Sequence, residues 1–320
     1  IYGYEHIVGT PMTGAVQRGN LTPERRHTDR MKATLVAQGV REITTYSFIN
    51  RKAADTLRLA ADDERRNAVA LLNPLSEEFG VMRTQLISSM LTVLATNYNR
   101  KNAAARFFEV SRLFKATTTP LTEQPEERPA LSLGFYGEGE DFYTMKGVVE
   151  TLCRGLRISF VASNEPFLHP GRQAAVMLNN QPVGVFGEVH PDVADDYGFG
   201  VRVYVAQFEL APLFAAAKPL VRYQPLPRFP AVERDLALLC HEDLPVGEIA
   251  DTIRRAGGRY LESVTLFDVY KGAQIEAGKK SVAFSLTFRS AEGTLSDEQI
   301  SPALDKIFKN LREKDCILRS

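Results

Sequence analysis

The chain has 320 residues, enough for about two domains of ordinary size, and its 39 Lys and Arg balance 39 Asp and Glu to a formal charge of zero. With 44% hydrophobic and 24% charged residues it is composed like a globular protein with a core, which excludes wholesale disorder, a collagen-like or low-complexity chain and a histone-like polycation. Cys153, Cys240 and Cys316 stand far apart without a CxxC, so they supply neither a disulfide framework nor a zinc cluster and point to a reducing compartment. No apolar run approaches the roughly 18–20 residues of a membrane span, and the opening IYGYEHIVGT lacks a basic stretch followed by an apolar one. The expectation is a soluble, cytoplasmic protein without a membrane partner; because it opens on Ile1 rather than Met, it reads as a piece of a longer chain.

Charge divides unevenly along the chain: residues 1–115 carry +6, residues 116–227 carry −5 and residues 228–320 carry −1. In the basic front, Thr22-Pro23-Glu24 combines an N-cap hydroxyl, a proline at the first helical position and an acid near the dipole's positive end, which predicts a helix over residues 23–38 stopping at Gly39. EITTYSF (residues 42–48) predicts a strand, and residues 51–59 a short helix. Leu86, Met90, Leu94 and Tyr98 recur every four residues, with Ile87 and Leu91 beside them, and predict a helix over residues 85–99 leading into the strand RFFEVSRLF. ATTTPLTEQPEERP (residues 116–129) reads as a long loop inside one domain. Beyond it come a strand ALSLGFY, a helix over residues 143–156, and strands QAAVML, VGVFGEV and VYVAQFEL. Successive strands joined by turns as short as NNQP argue for a largely antiparallel sheet with helices packed on it.

KPLVRYQPLPRFP, with four prolines in thirteen residues, reads as a linker, after which the pattern restarts. A strand (residues 234–240), a helix (245–256), two strands (263–270 and 281–289), a helix (297–313) and a strand (316–319) follow. Val282, Phe284, Leu286 and Phe288 alternate with Ser281, Ala283, Ser285 and Thr287, as a strand buried on one face requires. Each helix has one apolar stripe, and Ser296 with Gln299 forms a capping box. The order is βαββαβ, a ferredoxin-like sandwich, which alone names no function.

Chemistry-bearing residues are sparse. His169, His190 and His241 have no second ligand at metal spacing and read as turn or surface histidines. Gly198-Phe199-Gly200 is followed by a strand-like run and not by a helix that could aim its N-terminus at an anion, so it reads as a tight turn. Glu77-Glu78 reads as a solvated loop, and Cys153 lies on the apolar face of its helix as a core residue. The residues show no metal site and no Ser/His/Asp arrangement, and no catalytic residue is assigned.

Taken in order, IYGYEHI, GVREITTYSF, NPLSEEFGVMRTQLISSMLTVLATNYNRK, RFFEVSRLF, MKGVVETL, GEVHPDV, PRFPAVERDLAL, LFDVYKG, KKSVAFSLTF and TLSDEQ resemble the C-terminal part of the β subunit of bacterial phenylalanyl-tRNA synthetase, over essentially the whole chain. The resemblance implies an α+β chain: residues 1–20 as the tail of a preceding module, residues 21–217 as a class II synthetase-like antiparallel sheet domain that has lost catalysis, residues 218–227 as linker, and residues 228–320 as a ferredoxin-like anticodon-binding domain. It further implies an α2β2 assembly with a catalytic α subunit, phenylalanine tRNA as a partner, and ATP and magnesium for the holoenzyme but none on this chain's own residues. The family's OB-fold, editing and DNA-binding-like modules lie N-terminal to this region, so editing is not expected of these residues.

A working class II site needs Arg-x-Glu on one strand. Here Arg106-Phe107-Phe108-Glu109 has one residue too many, which sends the two side chains to opposite faces, and Gly198 to Arg202 is too short for the glycine-arginine strand. The helices over residues 23–38 and 85–99 are candidate subunit contacts, and the basic front is a candidate for phosphates or an acidic partner. RNA loops are read by stacking on aromatic or guanidinium planes and by cations on the backbone. For the terminal domain the candidates are Arg228, Arg234, Tyr270, Lys271, Lys279, Lys280, Arg289 and Arg319. Its charge of −1 predicts modest RNA affinity in isolation. The competing readings are a self-sufficient class II ligase-like enzyme and a ferredoxin-like protein-interaction module without an RNA role.

Overall fold

A computed structural model describes residues 3–16, 18–118, 121–217, 223, 225–272 and 275–319. The chain divides into two compact units, Ile1–Lys218 and Pro219–Ser320. Most of the expected linker, residues 218–227, lies outside the described residues.

The first unit runs α1 (Pro23–Ala37), β1 (Arg41–Glu42), β2 (Phe48–Ile49), α2 (Ala53–Thr56), β3 (Val81–Met82), α3 (Ile87–Asn99), β4 (Ala105–Lys115), β5 (Glu126–Tyr136), α4 (Phe142–Leu152), β6 (Ile158–Ala162), β7 (Leu168–Leu178), β8 (Gln181–Val189), α5 (Pro191–Asp196), β9 (Val203–Glu209) and α6 (Leu210–Ala216). Seven strands form one sheet in the order β1-β4-β5-β9-β8-β7-β6, antiparallel throughout except for the short β1–β4 pair. Both faces are covered. On one, Phe108, Leu133, Phe186 and Phe208 pack under Leu35 of α1, Met145 and Val149 of α4 and Leu213 of α6. On the other, Tyr136, Val203 and Val205 pack under Met90, Leu91 and Leu94 of α3 and Val193 of α5. Helix α3 lies close because β5 has glycine beneath it: a Cβ at Gly134 would sit 2.5 Å from Met90 Cγ. Thr22 caps α1 as its sequence requires, accepting the Arg25 N–H at 3.2 Å.

Several expectations are corrected. The strand expected over residues 42–48 is two two-residue strands, β1 and β2, in different sheets. Between them the Thr45 N–H donates to Glu109 Oε1 at 3.1 Å and Tyr46 O accepts from Arg83 at 3.2 Å, so a buried ion pair takes the backbone groups a ladder would use. The expected long loop, residues 116–129, is shorter because β5 starts at Glu126, with Arg128 reaching Glu126 and Glu209. The helix expected to reach residue 156 ends at Leu152, and β6, α5 and α6 carried no signal strong enough to be predicted.

The second unit runs β10 (Val232–His241), α7 (Val246–Ala256), β11 (Leu261–Tyr270), β12 (Lys279–Phe288), α8 (Asp297–Arg312) and β13 (Ile317–Leu318), a βαββαβ sandwich whose antiparallel sheet has the order β11-β12-β10-β13. Helices α7 and α8 cover one face, where Leu236, Leu238, Val282, Phe284, Leu286 and Phe288 meet Ile249, Ile253, Ile300 and Ile307. The Ser296 N–H donates to Gln299 Oε1 at 2.9 Å at the start of α8.

Candidate nucleic-acid interface

The buried charged groups on the large sheet of the first unit are paired with one another. Arg83 and Glu109 are each 1% exposed and pair at 3.0 Å; the remaining guanidinium donors go to Thr45 Oγ1, the carbonyls of Tyr46 and Arg112, and Ser111 Oγ. Arg106 lies on the opposite face of β4, pairs with Glu140 at 2.9 Å and stacks its guanidinium 4.7 Å from the Phe135 ring centre. The two side chains are therefore held by different partners on different faces of the sheet. On the α3 face a cleft of about 640 Å³ is lined by Asp63, Glu64, Arg65, Lys115, Arg128, Glu165 and Gln207, among others. Its charges pair inside it: Arg65 bridges Asp63 at 2.6 Å and Glu165 at 2.9 Å, and its hydrogen bond holds the Asp63 carboxyl below its usual value. Lys115 is likewise taken by Glu64, and Arg128 by Glu126 and Glu209, so among the described residues no basic group lining this cleft is left to grip a nucleotide phosphate, and ATP does not fit these residues.

Of the candidate histidines, His169 lies within β7, His190 is the N-cap of α5 and His241 is the last residue of β10. Each accepts, on Nδ1, the backbone N–H two residues on: Gly171 at 3.0 Å for His169, Asp192 at 3.2 Å for His190 and Asp243 at 3.3 Å for His241. Gly198 has φ +77° and the Gly200 N–H donates to the Tyr98 hydroxyl at 3.2 Å, a turn closed on α3. Burial pushes the Cys153 thiol up to about 11. Among the described residues no group of three or more His, Cys, Asp or Glu is arranged to hold a metal ion, and no helix is long and apolar enough to cross a membrane.

The second unit leaves one sheet face without a helix. Its residues are mostly small or polar: Glu233, Asp235 and Ala237 on β10, Ser281, Ala283, Ser285 and Thr287 on β12, and Ser263 and Thr265 on β11. A bulge at Phe267 then changes which β11 residues join them. Before it, Leu266 sits opposite Phe284 on the helix face; after it, Asp268 sits opposite Ala283 and Tyr270 opposite Ser281 on the open face. Without that extra residue, strict alternation would turn Tyr270 toward the helices. Tyr270 is 38% exposed. The Arg319 guanidinium lies 6.0 Å from its ring centre and donates to Ser281 Oγ at 3.3 Å. Glu233 and Asp235 lie toward one end of this face; Tyr270, Asp268 and the cations Lys271, Lys279 and Arg319 lie toward the other.

Of the eight sequence candidates, the structure thus brings together Tyr270, Lys271, Lys279 and Arg319. Lys271 pairs with Glu242 at 3.6 Å and Lys279 with Glu276 at 2.6 Å, both on the exposed rim. Arg228 is exposed and precedes β10, away from this end of the sheet, and Arg289 is held by Glu262 at 2.7 Å and by the Phe229 carbonyl. Two candidates lie on strand positions that face away from the open face. Arg234 points to the helix face, where it pairs with Asp297 at the start of α8. Lys280 is 7% exposed and its ammonium donates to the carbonyls of Glu242 and Leu244 at 2.8 and 2.6 Å, so its charge closes a loop instead of facing a partner. Sequence reading missed Asp268 and Ser281, which flank Tyr270. The strict alternation of β12 already put Ser281 opposite the apolar face, but nothing in the β11 sequence announces the bulge that delivers Asp268 and Tyr270 to the same side.

The family model described as "Phenylalanyl tRNA synthetase beta chain CLM domain" matches residues 7–210, and "Ferredoxin-fold anticodon binding domain" matches residues 227–319. The protein of Clostridium tetani named phenylalanine–tRNA ligase beta subunit is 39% identical over 318 residues, 97% of this chain and 40% of that protein. Those of Clostridium acetobutylicum and Halalkalibacterium halodurans, with the same name, are 38% and 36% identical over 97% of this chain and 40% of their own length. The chain spans about 40% of the length of these curated relatives.

Proposed function

Since this chain belongs to the phenylalanyl-tRNA synthetase β-chain family, we propose that it acts as the part of a phenylalanine–tRNA ligase β subunit that supports a catalytic α subunit and reads the anticodon region of phenylalanine tRNA. The observation that carries the second role is the open sheet face of the second unit: Tyr270 exposed at a strand end, with Arg319, Ser281 and Asp268 around it and Lys271 and Lys279 at the rim. Such a face offers a base a ring to stack on, a hydroxyl and a carboxylate for its edge, and cations for the backbone. The balanced charge of the unit assigns it a share of the binding and leaves the rest to the assembly.

In this reading residues 21–217 are a synthetase-like domain without catalysis and residues 228–320 the RNA-reading domain, working in the cytoplasm. Adenylation, with its ATP and magnesium, belongs to the α subunit of an α2β2 enzyme. What supports this is the first unit's own chemistry: Arg106 and Glu109 are on opposite faces, and the cleft over the sheet is filled by paired charges. The test is co-expression with the α subunit of the same genome. The pair should show phenylalanine-dependent pyrophosphate exchange while this chain alone shows none, and Tyr270→Ala should weaken tRNA binding by the pair without lowering exchange. Exchange by the chain alone, or tRNA affinity indifferent to Tyr270→Ala, would overturn the respective half.

A further inference from the structure

The three cysteines are free thiols, and two of them meet. Strand β13 pairs with β10 through Leu318 opposite Leu238 and Ile317 opposite Leu239, and extending this register one residue beyond β13 sets Cys316 opposite Cys240. The Arg319 N–H donates to the Ala237 carbonyl at 2.9 Å, which makes Ala237 and Arg319 a hydrogen-bonded pair. Pairs alternate in an antiparallel ladder, so Leu239–Ile317 is hydrogen-bonded as well, and Cys240–Cys316 falls on a non-hydrogen-bonded position. There the Cα atoms of opposed residues approach to about 4.5 Å and their side chains leave the sheet on the same side. That lies inside the window of about 4.4–6.8 Å that a disulfide requires. Both side chains enter the same apolar cluster and each is 1% exposed; the Cys240 thiol lies 3.7 Å from the Lys280 carbonyl oxygen and the Cys316 thiol 3.7 Å from that of Lys314. Cys153 belongs to the first unit's core and has no such partner.

We propose that Cys240 and Cys316 are a reversible thiol–disulfide site, which a small-molecule disulfide oxidises to a cross-strand bond fastening the C-terminal strand to the middle of the sheet. One cysteine, as thiolate, attacks the reagent's S–S bond, forming a mixed disulfide and releasing one thiolate. The second cysteine attacks the protein sulfur of that mixed disulfide and releases the other. The two protein thiol protons end on the two released thiols, the cysteines are oxidised by two electrons and the reagent is reduced by two. Burial raises both thiols, Cys316 to about 11, so exchange waits for the two-residue strand to lift. The closed bond fixes the strand that carries Arg319 beside Tyr270.

The test treats the reduced 320-residue chain with oxidised glutathione and follows intact mass, linked peptides and amide exchange. Expected are the loss of two hydrogens without a retained adduct, a peptide joining Cys240 to Cys316, one alkylatable thiol at Cys153, and reversal by dithiothreitol. Exchange of the Ile317 and Arg319 amides, the ones that bond to β10, should slow by about tenfold or more. Cys153→Ser should react like the parent. Retained glutathione on either cysteine, a bond to Cys153 or an intermolecular bond, or three thiols surviving the treatment would each overturn the proposal; because these readouts use the parent chain, they do not depend on the folding of a variant.

Discussion

The two larger sheets of this molecule are built from the same antiparallel grammar and finished differently. The seven-stranded sheet is covered on both faces, by α1, α4 and α6 on one and α3 and α5 on the other; the four-stranded sheet is covered on one. Double coverage forces any charge on an interior strand to find a partner inside, and Arg83 and Glu109 show the result: five guanidinium contacts that also replace the ladder of residues 44–47. Single coverage needs only one apolar row, and leaves the other row for serine, threonine, alanine and a few groups that can meet something outside. A sheet face is available to a partner to the extent that the fold does not need it.

Breaking the ion pair tests that contrast hardest. Arg83→Met leaves Glu109 buried without a counter-charge and should destabilise the first unit by about 3–5 kcal/mol, while the double variant Arg83→Met with Glu109→Leu should recover much of the loss. Denaturant unfolding followed by amide exchange reads the units separately. The same sheet then supplies its own control in the second unit. Phe284→Ala, on the covered face, should cost about 3–5 kcal/mol. Tyr270→Ala, on the open face, should stay within about 0.5 kcal/mol in stability yet lose about 1–3 kcal/mol of RNA binding in the α-subunit complex. Lys280→Met should do the reverse of Tyr270→Ala. It strands the carbonyls of Glu242 and Leu244 and should cost about 1–3 kcal/mol of stability, with RNA affinity unchanged in the molecules that remain folded.

The covered rows were legible in the sequence, and the open one only in part. Val282, Phe284, Leu286 and Phe288 announce a buried row by period alone, because burying a row demands apolar side chains at every second place. The helices gave themselves away by their stripes and by Thr22 and Ser296 at their starts. Residues 42–48 misled because β-branched and aromatic composition speaks for a strand, whereas the backbone there is spent on a glutamate 64 residues away. Lys280 misled for a related reason: a lysine beside Lys279 at a strand start looks like surface until the carbonyls of the neighbouring loop are located. The sequence places Tyr270 at a strand end, where β11 does end, but its face depends on the bulge at Phe267, which is set by pairing with β12 and has no local mark.

The smallest expected effect concerns acid, and it also separates the sheets. Burial alone would raise the Glu188 carboxyl, but the two-pronged bond from Arg172, at 2.6 and 2.8 Å, with Arg202 nearby, holds it below its usual value. Asp63 under Arg65, Glu64 under Lys115 and Glu126 under Arg128 are held down in the same way, and all four belong to the first unit. A carboxyl whose folded value is depressed contributes its stability fully above the unfolded value, and loses it as pH falls toward and through the folded one. For these groups the loss begins below about pH 4.5, the ordinary glutamate value. Scanning calorimetry from about pH 6 down to about pH 3 should therefore lower the midpoint of the first unit ahead of the second. Arg172→Met should flatten part of that decline, since without the fork Glu188 takes up its proton at a higher pH and has less to lose in acid. If the two units instead drift together, and Arg172→Met leaves the slope alone, the paired charges of the covered sheet hold its geometry without contributing to its pH response.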